Sequence, residues 1–160
     1  VFILSFSLAL LFSFLTNKLS NNASNLIMIL LILLVIAIGI IFDMIGVAVL
    51  TAKESTFHAM SSKKIKGAKI ATKLIRNNVR VASFCNDIIG DICGIVSGGL
   101  GAVLAISMSN YIDITIATII TSAIISALTV TGKAIFKTVA VKKADNILFM
   151  ASKLMSIFNK

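Results

Sequence analysis

Long apolar runs alternate with short polar clusters along this chain. Four runs stand out, at residues 1–15, 26–50, 81–108 and 114–132. A helix that crosses a bilayer needs about 20 apolar residues, within a range of about 17 to 25. The pattern therefore predicts four transmembrane helices, the first of them short at its start. The intervening stretches 51–80 and 133–160 are polar and basic, and predict cytoplasmic helical segments. Between residues 66 and 77, Ala68, Ile70, Ala71, Leu74 and Ile75 recur at helical spacing opposite Lys66, Lys69, Lys73 and Arg76. That is the pattern of a basic amphipathic helix lying on the membrane surface. Residues 140–158 repeat it, with Val141, Ile147, Leu148, Ala151, Leu154 and Ile157 set off by Lys142, Lys143 and Lys153. Each such helix reads either as docked and solvated or as a binder of lipid or a partner.

Composition sharpens the class. The chain is 58% hydrophobic and 13% charged, with no Pro and no Trp, and its mean hydropathy is +1.06. A soluble domain keeps about a quarter of its residues charged. The expected fold is all-α: a polytopic membrane protein forming a single transmembrane domain over residues 1–160. The chain opens on Val1 rather than Met, which predicts that residues precede it. Residues 16–25 offer no small-x-small cleavage site, so the first run is expected to be a retained helix rather than a signal peptide.

Charge gives the expected orientation. Eight of the fifteen basic residues fall in residues 51–80 and six in 133–160, with Lys18 alone elsewhere. Lys and Arg in short loops stay on the cytoplasmic side, so both termini are expected in the cytoplasm and the protein in the plasma (inner) membrane. The net charge of +9 then suits anionic lipid at the basic helices rather than nucleic acid.

The third run carries Gly90, Gly94 and Gly98 at intervals of four, beside Ser97, Gly99 and Gly101. Small residues at that spacing let helix backbones approach closely in lipid. The face predicts a contact with another helix of the chain or with a second copy, and a homodimer is the expected assembly.

Three acids interrupt the apolar runs: Asp43, Asp87 and Asp91. A charge at the centre of a spanning helix costs about 3 kcal/mol on insertion scales, so each needs a partner, water or a proton. At about 1.5 Å per residue, Asp43 lies about 10 Å from the cytoplasmic end of its helix, Asp87 about 9 Å and Asp91 about 15 Å, which places them in one layer. Asn86 adjoins them. The fourth run adds a polar stripe of Thr115, Thr118, Ser122, Ser126 and Thr129, of which Ser126 and Thr129 reach the same depth. Carboxylate, amide and hydroxyl oxygens are the ligands of a hard cation such as Mg²⁺ or Ca²⁺. The candidate metal ligands are therefore Asp43, Asn86, Asp87, Asp91 and Ser126. The alternative makes Asp43 and Asp87 topological anchors paired with Lys53 or Lys133, with the Ser and Thr hydroxyls bonded to their own backbone.

Enzyme chemistry is not expected. His58 is the single His and has no Cys or His partner nearby; Cys85 and Cys93 lack zinc spacing and read as small core residues. Neither a phosphate-binding Gly-rich loop nor a catalytic triad is readable.

The order of elements resembles the transmembrane domain of the CorB, CorC and cyclin M magnesium and cobalt transporters. The similarity runs from about Ile41 to Gly94 through Phe42 to Ala48, then Lys66, Gly67, Ala68 and Lys69, then Lys73 to Asn77, then Arg80 to Ser83. It resumes at Gly132 to Ala140, which is similar to the family's Gly-Glu-x-x-Pro-Lys segment. The chain departs from the family at Gly46, where Glu is usual, at Ile89 and Gly90, where paired asparagines are usual, and at Lys133 and Phe136, which replace Glu and Pro. The family's cytoplasmic regulatory domains are not expected within these 160 residues. The resemblance implies a dimer that moves a divalent cation, Mg²⁺ or Co²⁺, by alternating access. The competing expectation is a membrane scaffold or regulator that does not transport and whose acids are structural.

Overall fold

In the computed structural model, residues 2–20, 24–109 and 111–158 are described. Val1, residues 21–23, Asn110, Asn159 and Lys160 lie outside the described residues, and with them the first residue of the first predicted span, parts of both short loops and the end of the predicted tail segment. The rest is almost entirely helical. The elements are α1 (Phe2–Ser20), α2 (Asn25–Thr51), α3 (Glu54–Ser62), α4 (Ala68–Arg76), α5 (Asn78–Ser83), a π-helical turn (Phe84–Ile89), α6 (Gly90–Ser107), α7 (Ile114–Lys142) and α8 (Ala144–Phe158).

Three helical stretches are long and apolar enough to cross a membrane: Asn25–Thr51, Asn78–Ser107 and Ile114–Lys142. The apolar part of α1, Phe2–Leu15, is shorter. Only 11% of the most apolar window of Ile114–Lys142 is buried within the chain, against 50% for Asn78–Ser107. Ile116, Ile119, Ile120, Ile124 and Leu128 of α7 are exposed. An apolar surface so extensive needs a nonaqueous neighbour, and the chain is a membrane protein.

Two boundaries differ from those read along the sequence. The fourth run was expected to end at residue 132, yet α7 continues as one helix to Lys142. Gly132 lies inside it, where the space of its missing side chain is filled by the Ile40 Cδ1 methyl. The third stretch opens at Asn78 rather than residue 81, and Asp113 begins α7 as an N-cap: its Oδ1 accepts the Thr115 N–H at 2.8 Å. That backbone bond holds the Asp113 carboxyl below the ordinary aspartate range.

Contacts group the chain into two compact units, Val1–Ile40 with Ile88–Gly132 and Ile41–Asp87 with Lys133–Lys160. In the first, α1 packs on α6, and Met28, Ile32, Val35 and Ile36 of α2 meet Ile92, Cys93, Val96, Leu100 and Leu104 of α6 and Ile125 of α7. Glycines set this packing. A Cβ on Gly39 would come within 2.9 Å of the Cys93 Cβ, whereas Gly94, Gly98 and Gly99 have no neighbour in that direction. Part of the small-residue face thus packs within the chain, at Gly101 against Ile125 and Thr121, and part is open.

In the second unit, Val49, Phe57, Ala71, Ile75 and Leu148 form the core. The helix expected at residues 66–77 is α4, with Ala68, Ala71, Thr72 and Ile75 buried and Lys69, Lys73 and Arg76 exposed. Its apolar face is covered by α3 and α8. On α8 the buried positions are Ala144, Leu148 and Ser152, one turn apart, while Leu154 and Ile157 are exposed. Gly67, at φ +91°, opens α4, and a Cβ there would stand 3.0–3.2 Å from backbone atoms of Ser152 and Lys153. Only glycine combines that left-handed backbone with so close an approach. Asp145 of α8 caps α3 from outside: its carboxylate accepts the Lys53 N–H at 2.9 Å and the Thr56 hydroxyl at 3.1 Å.

Candidate cation site

The site lies within the second unit, where α2, the π-helical turn and the last part of α7 contribute polar side chains. Asp43 on α2 is 2% exposed. Lys137 on α7 reaches it, with Nζ 3.3 Å from Oδ2. The approach is an ion pair without hydrogen-bond alignment, so Oδ2 keeps its acceptor capacity unused. Lys137 itself is half-exposed, its stem spanning from the surface to the acid in the manner of long basic side chains.

Gly46 follows Asp43 by three residues and so shares its helix face. The place of its missing side chain is occupied by the Asn86 carboxamide: a Cβ would collide with Oδ1 and stand 2.7 Å from Cγ. Asn86 belongs to the π-helical turn, a widened i→i+5 turn of a kind that recurs at functional sites. Its Oδ1 is buried and accepts no hydrogen bond. Two buried oxygens, one carboxylate and one carboxamide, therefore receive no hydrogen bond, the carboxylate having only the Lys137 ammonium beside it at 3.3 Å. Buried acceptors are normally satisfied, and an unmet one costs about 1–3 kcal/mol.

The remaining expected ligands are placed differently. Asp87 follows Asn86 on the π-helical turn but is exposed, and its Oδ2 accepts the Ser83 hydroxyl at 2.7 Å. Asp91 is exposed, falls in the first unit and is engaged within the chain. Ser126 is also exposed and in the first unit. In the α7 stripe, the hydroxyls of Thr118 and Thr129 bond the carbonyls of Ile114 and Ile125 at 2.7 and 2.8 Å, four residues back on their own helix. Among the described residues no group of three His, Cys, Asp or Glu side chains converges as a metal cage. A bound cation would thus rely on mixed oxygen ligands.

Sequence reasoning missed Lys137 and the role of Gly46. It offered Lys53 or Lys133 as the partner of Asp43, but Lys137, one turn beyond Lys133, makes the pair. The continuity of α7 past Gly132 brings that later lysine to the acid. Gly46, read only as a departure from the family's Glu, is what admits Asn86.

Outside the membrane stretches, Glu54 joins α3 to the end of α4, accepting from Arg76 Nε at 3.0 Å and contacting His58 Nε2 at 3.0 Å. These two partners, Arg76 foremost, hold its carboxyl below the ordinary glutamate range. No family model, curated protein or solved structure matches the chain.

Proposed function

We propose that this chain is a cation-handling membrane protein of the magnesium-transporter type, in which Asp43 and Asn86 supply the oxygen ligands of a divalent cation. The observation that carries the reading is the pair of buried acceptors, Asp43 Oδ2 and Asn86 Oδ1, that receive no hydrogen bond. A hard cation takes such ligands. The ion pair at 3.3 Å adds a condition, because Lys137 and the ion compete for the same oxygen. Binding requires Lys137 to withdraw, and its half-exposed, flexible stem allows this. In the finer form of the proposal, α1 joins the three longer helices as a fourth span and both termini face the cytoplasm of a plasma (inner) membrane. The exposed Gly98 and Gly99 provide the face for a homodimer, and α4 and α8 meet anionic lipid.

The same ion pair favours a second reading. If Lys137 never leaves, Asp43 is a structural anchor and the protein is a membrane scaffold or regulator.

Titration of the purified protein in detergent with Mg²⁺, Ca²⁺, Mn²⁺ and Co²⁺, followed by calorimetry and thermal shift, separates the two. The transport-type reading expects saturable binding, lost in Asp43→Asn and weakened in Asn86→Ala. A ligand at 100 times its Kd should then add about 2.7 kcal/mol of stability. A folded protein that binds none of the four ions is an anchor-type scaffold.

A further inference from the structure

A crevice of about 490 Å³ opens in the second unit, and Asp43 is not part of its lining. Its volume lies within the range of about 300–1,000 Å³ typical of ligand pockets. Phe42 and Ile45 of α2, Leu74 of α4, Phe84 of the π-helical turn, and Leu154 and Met155 of α8 wall it. The lining is otherwise apolar but includes one cation, Arg80 of α5. The Arg80 side chain is exposed and makes no hydrogen bond or ion pair among the described residues. It stands in the first turn of Asn78–Ser107, a stretch long enough to span a membrane, and so belongs at the depth of lipid headgroups.

A slot of this make-up selects its occupant chemically. It has no polar groups to orient a water-soluble metabolite, so the body of the ligand must be hydrocarbon. An uncharged hydrocarbon would leave the guanidinium without a partner, although Arg forms strong, bidentate bonds with phosphate. We propose that the crevice holds one acyl chain of an anionic phospholipid, with its phosphate on Arg80. Exposed Leu154, 61% accessible, and Met155, 48% accessible, are then covered by lipid, which accounts for apolar α8 positions that the chain itself leaves open. The proposal depends on the membrane location alone and is independent of the cation reading.

Native mass spectrometry of the detergent-purified chain, incubated with phosphatidylglycerol or phosphatidylcholine of identical acyl chains, tests it. The expected result is one phosphatidylglycerol per chain, retained with about tenfold preference over phosphatidylcholine, or about 1.4 kcal/mol. Arg80→Gln should reduce that preference to parity, and Ala151→Trp, which fills the slot without altering charge, should lose both lipids. Far-ultraviolet circular dichroism confirms that each variant is helical, and either folded variant suffices. Equal retention of the two lipids by the native chain would overturn the proposal. So would an undiminished preference in Arg80→Gln, displacement of the lipid by an equimolar fatty acid, or a second copy of the chain retained in place of lipid.

Discussion

The Nζ of Lys137 lies 3.3 Å from Oδ2 of Asp43, joining the end of α7 to an acid that is 2% exposed. Removing one partner of a buried pair leaves an uncompensated charge and costs about 3–5 kcal/mol when both are fully buried. Lys137 is 47% exposed, so solvent screening lowers the expected loss in Lys137→Met to about 1–3 kcal/mol. Adding Asp43→Asn should restore most of it, and thermal unfolding of the two single variants and the double variant gives the coupling. If the pair competes with a cation, Lys137→Met should also tighten cation binding; an anchor would show the stability change alone.

Gly46 and Asn86 test the polar contact. In Gly46→Ala the new methyl meets the Asn86 carboxamide, and overpacking of this kind costs about 1–3 kcal/mol. Asn86→Ala removes the obstacle, so Gly46→Ala should be nearly neutral in that background. Additive losses in the double variant would mean that the two residues do not touch.

Gly67 fixes α8 to α4. Alanine at φ +91° is strained by about 1–2 kcal/mol, and its Cβ meets the backbone of Ser152 and Lys153. Hydrogen exchange in Gly67→Ala should show lost protection across Ala144–Phe158 and little change in α6.

Acid should loosen the junction of α3 and α4. Glu54, facing Arg76 and His58, is held below the ordinary glutamate range. A carboxylate whose folded pKa is depressed contributes stability that is present above its unfolded pKa and lost as pH falls through the folded value. Protection of Glu54–Ser62 against exchange should therefore decline as the pH drops below the ordinary glutamate range, and Glu54→Gln should flatten that dependence.

The open glycines predict a clean separation of fold and assembly. Gly98 has no neighbour where a side chain would project, so Gly98→Leu should leave thermal stability within about 0.5 kcal/mol. Crosslinking in mild detergent should show the dimer of the native chain and its loss in the variant.

Local features made much of the architecture legible in the sequence. Apolar run length alone locates the three long helices, because lipid leaves a spanning backbone no partner but itself. The spacing of Ala68, Ile70, Ala71, Leu74 and Ile75 against Lys66, Lys69, Lys73 and Arg76 predicted a helix where α4 stands, although Ile70 and Leu74 are only half-buried and Lys66 precedes it. The pairing of elements is a different matter. Nothing near Asp43 names Lys137 over Lys53 or Lys133, and nothing near Gly46 names Asn86. Periodicity places a side chain on a face without specifying which distant face it meets. The π-helical turn at Phe84–Ile89 further changes which face the residues beyond it present, a shift that a regular 3.6-residue period does not anticipate. In the folded chain Asp43 is buried against Lys137, Asp87 is exposed and bonded to Ser83, and Asp91 belongs to the other unit. By itself the sequence determined a basic, helical membrane chain with acids in its apolar stretches; tertiary structure alone decided which acid was buried and what faced it, because burial and charge pairing are set by contacts between helices rather than by order along one.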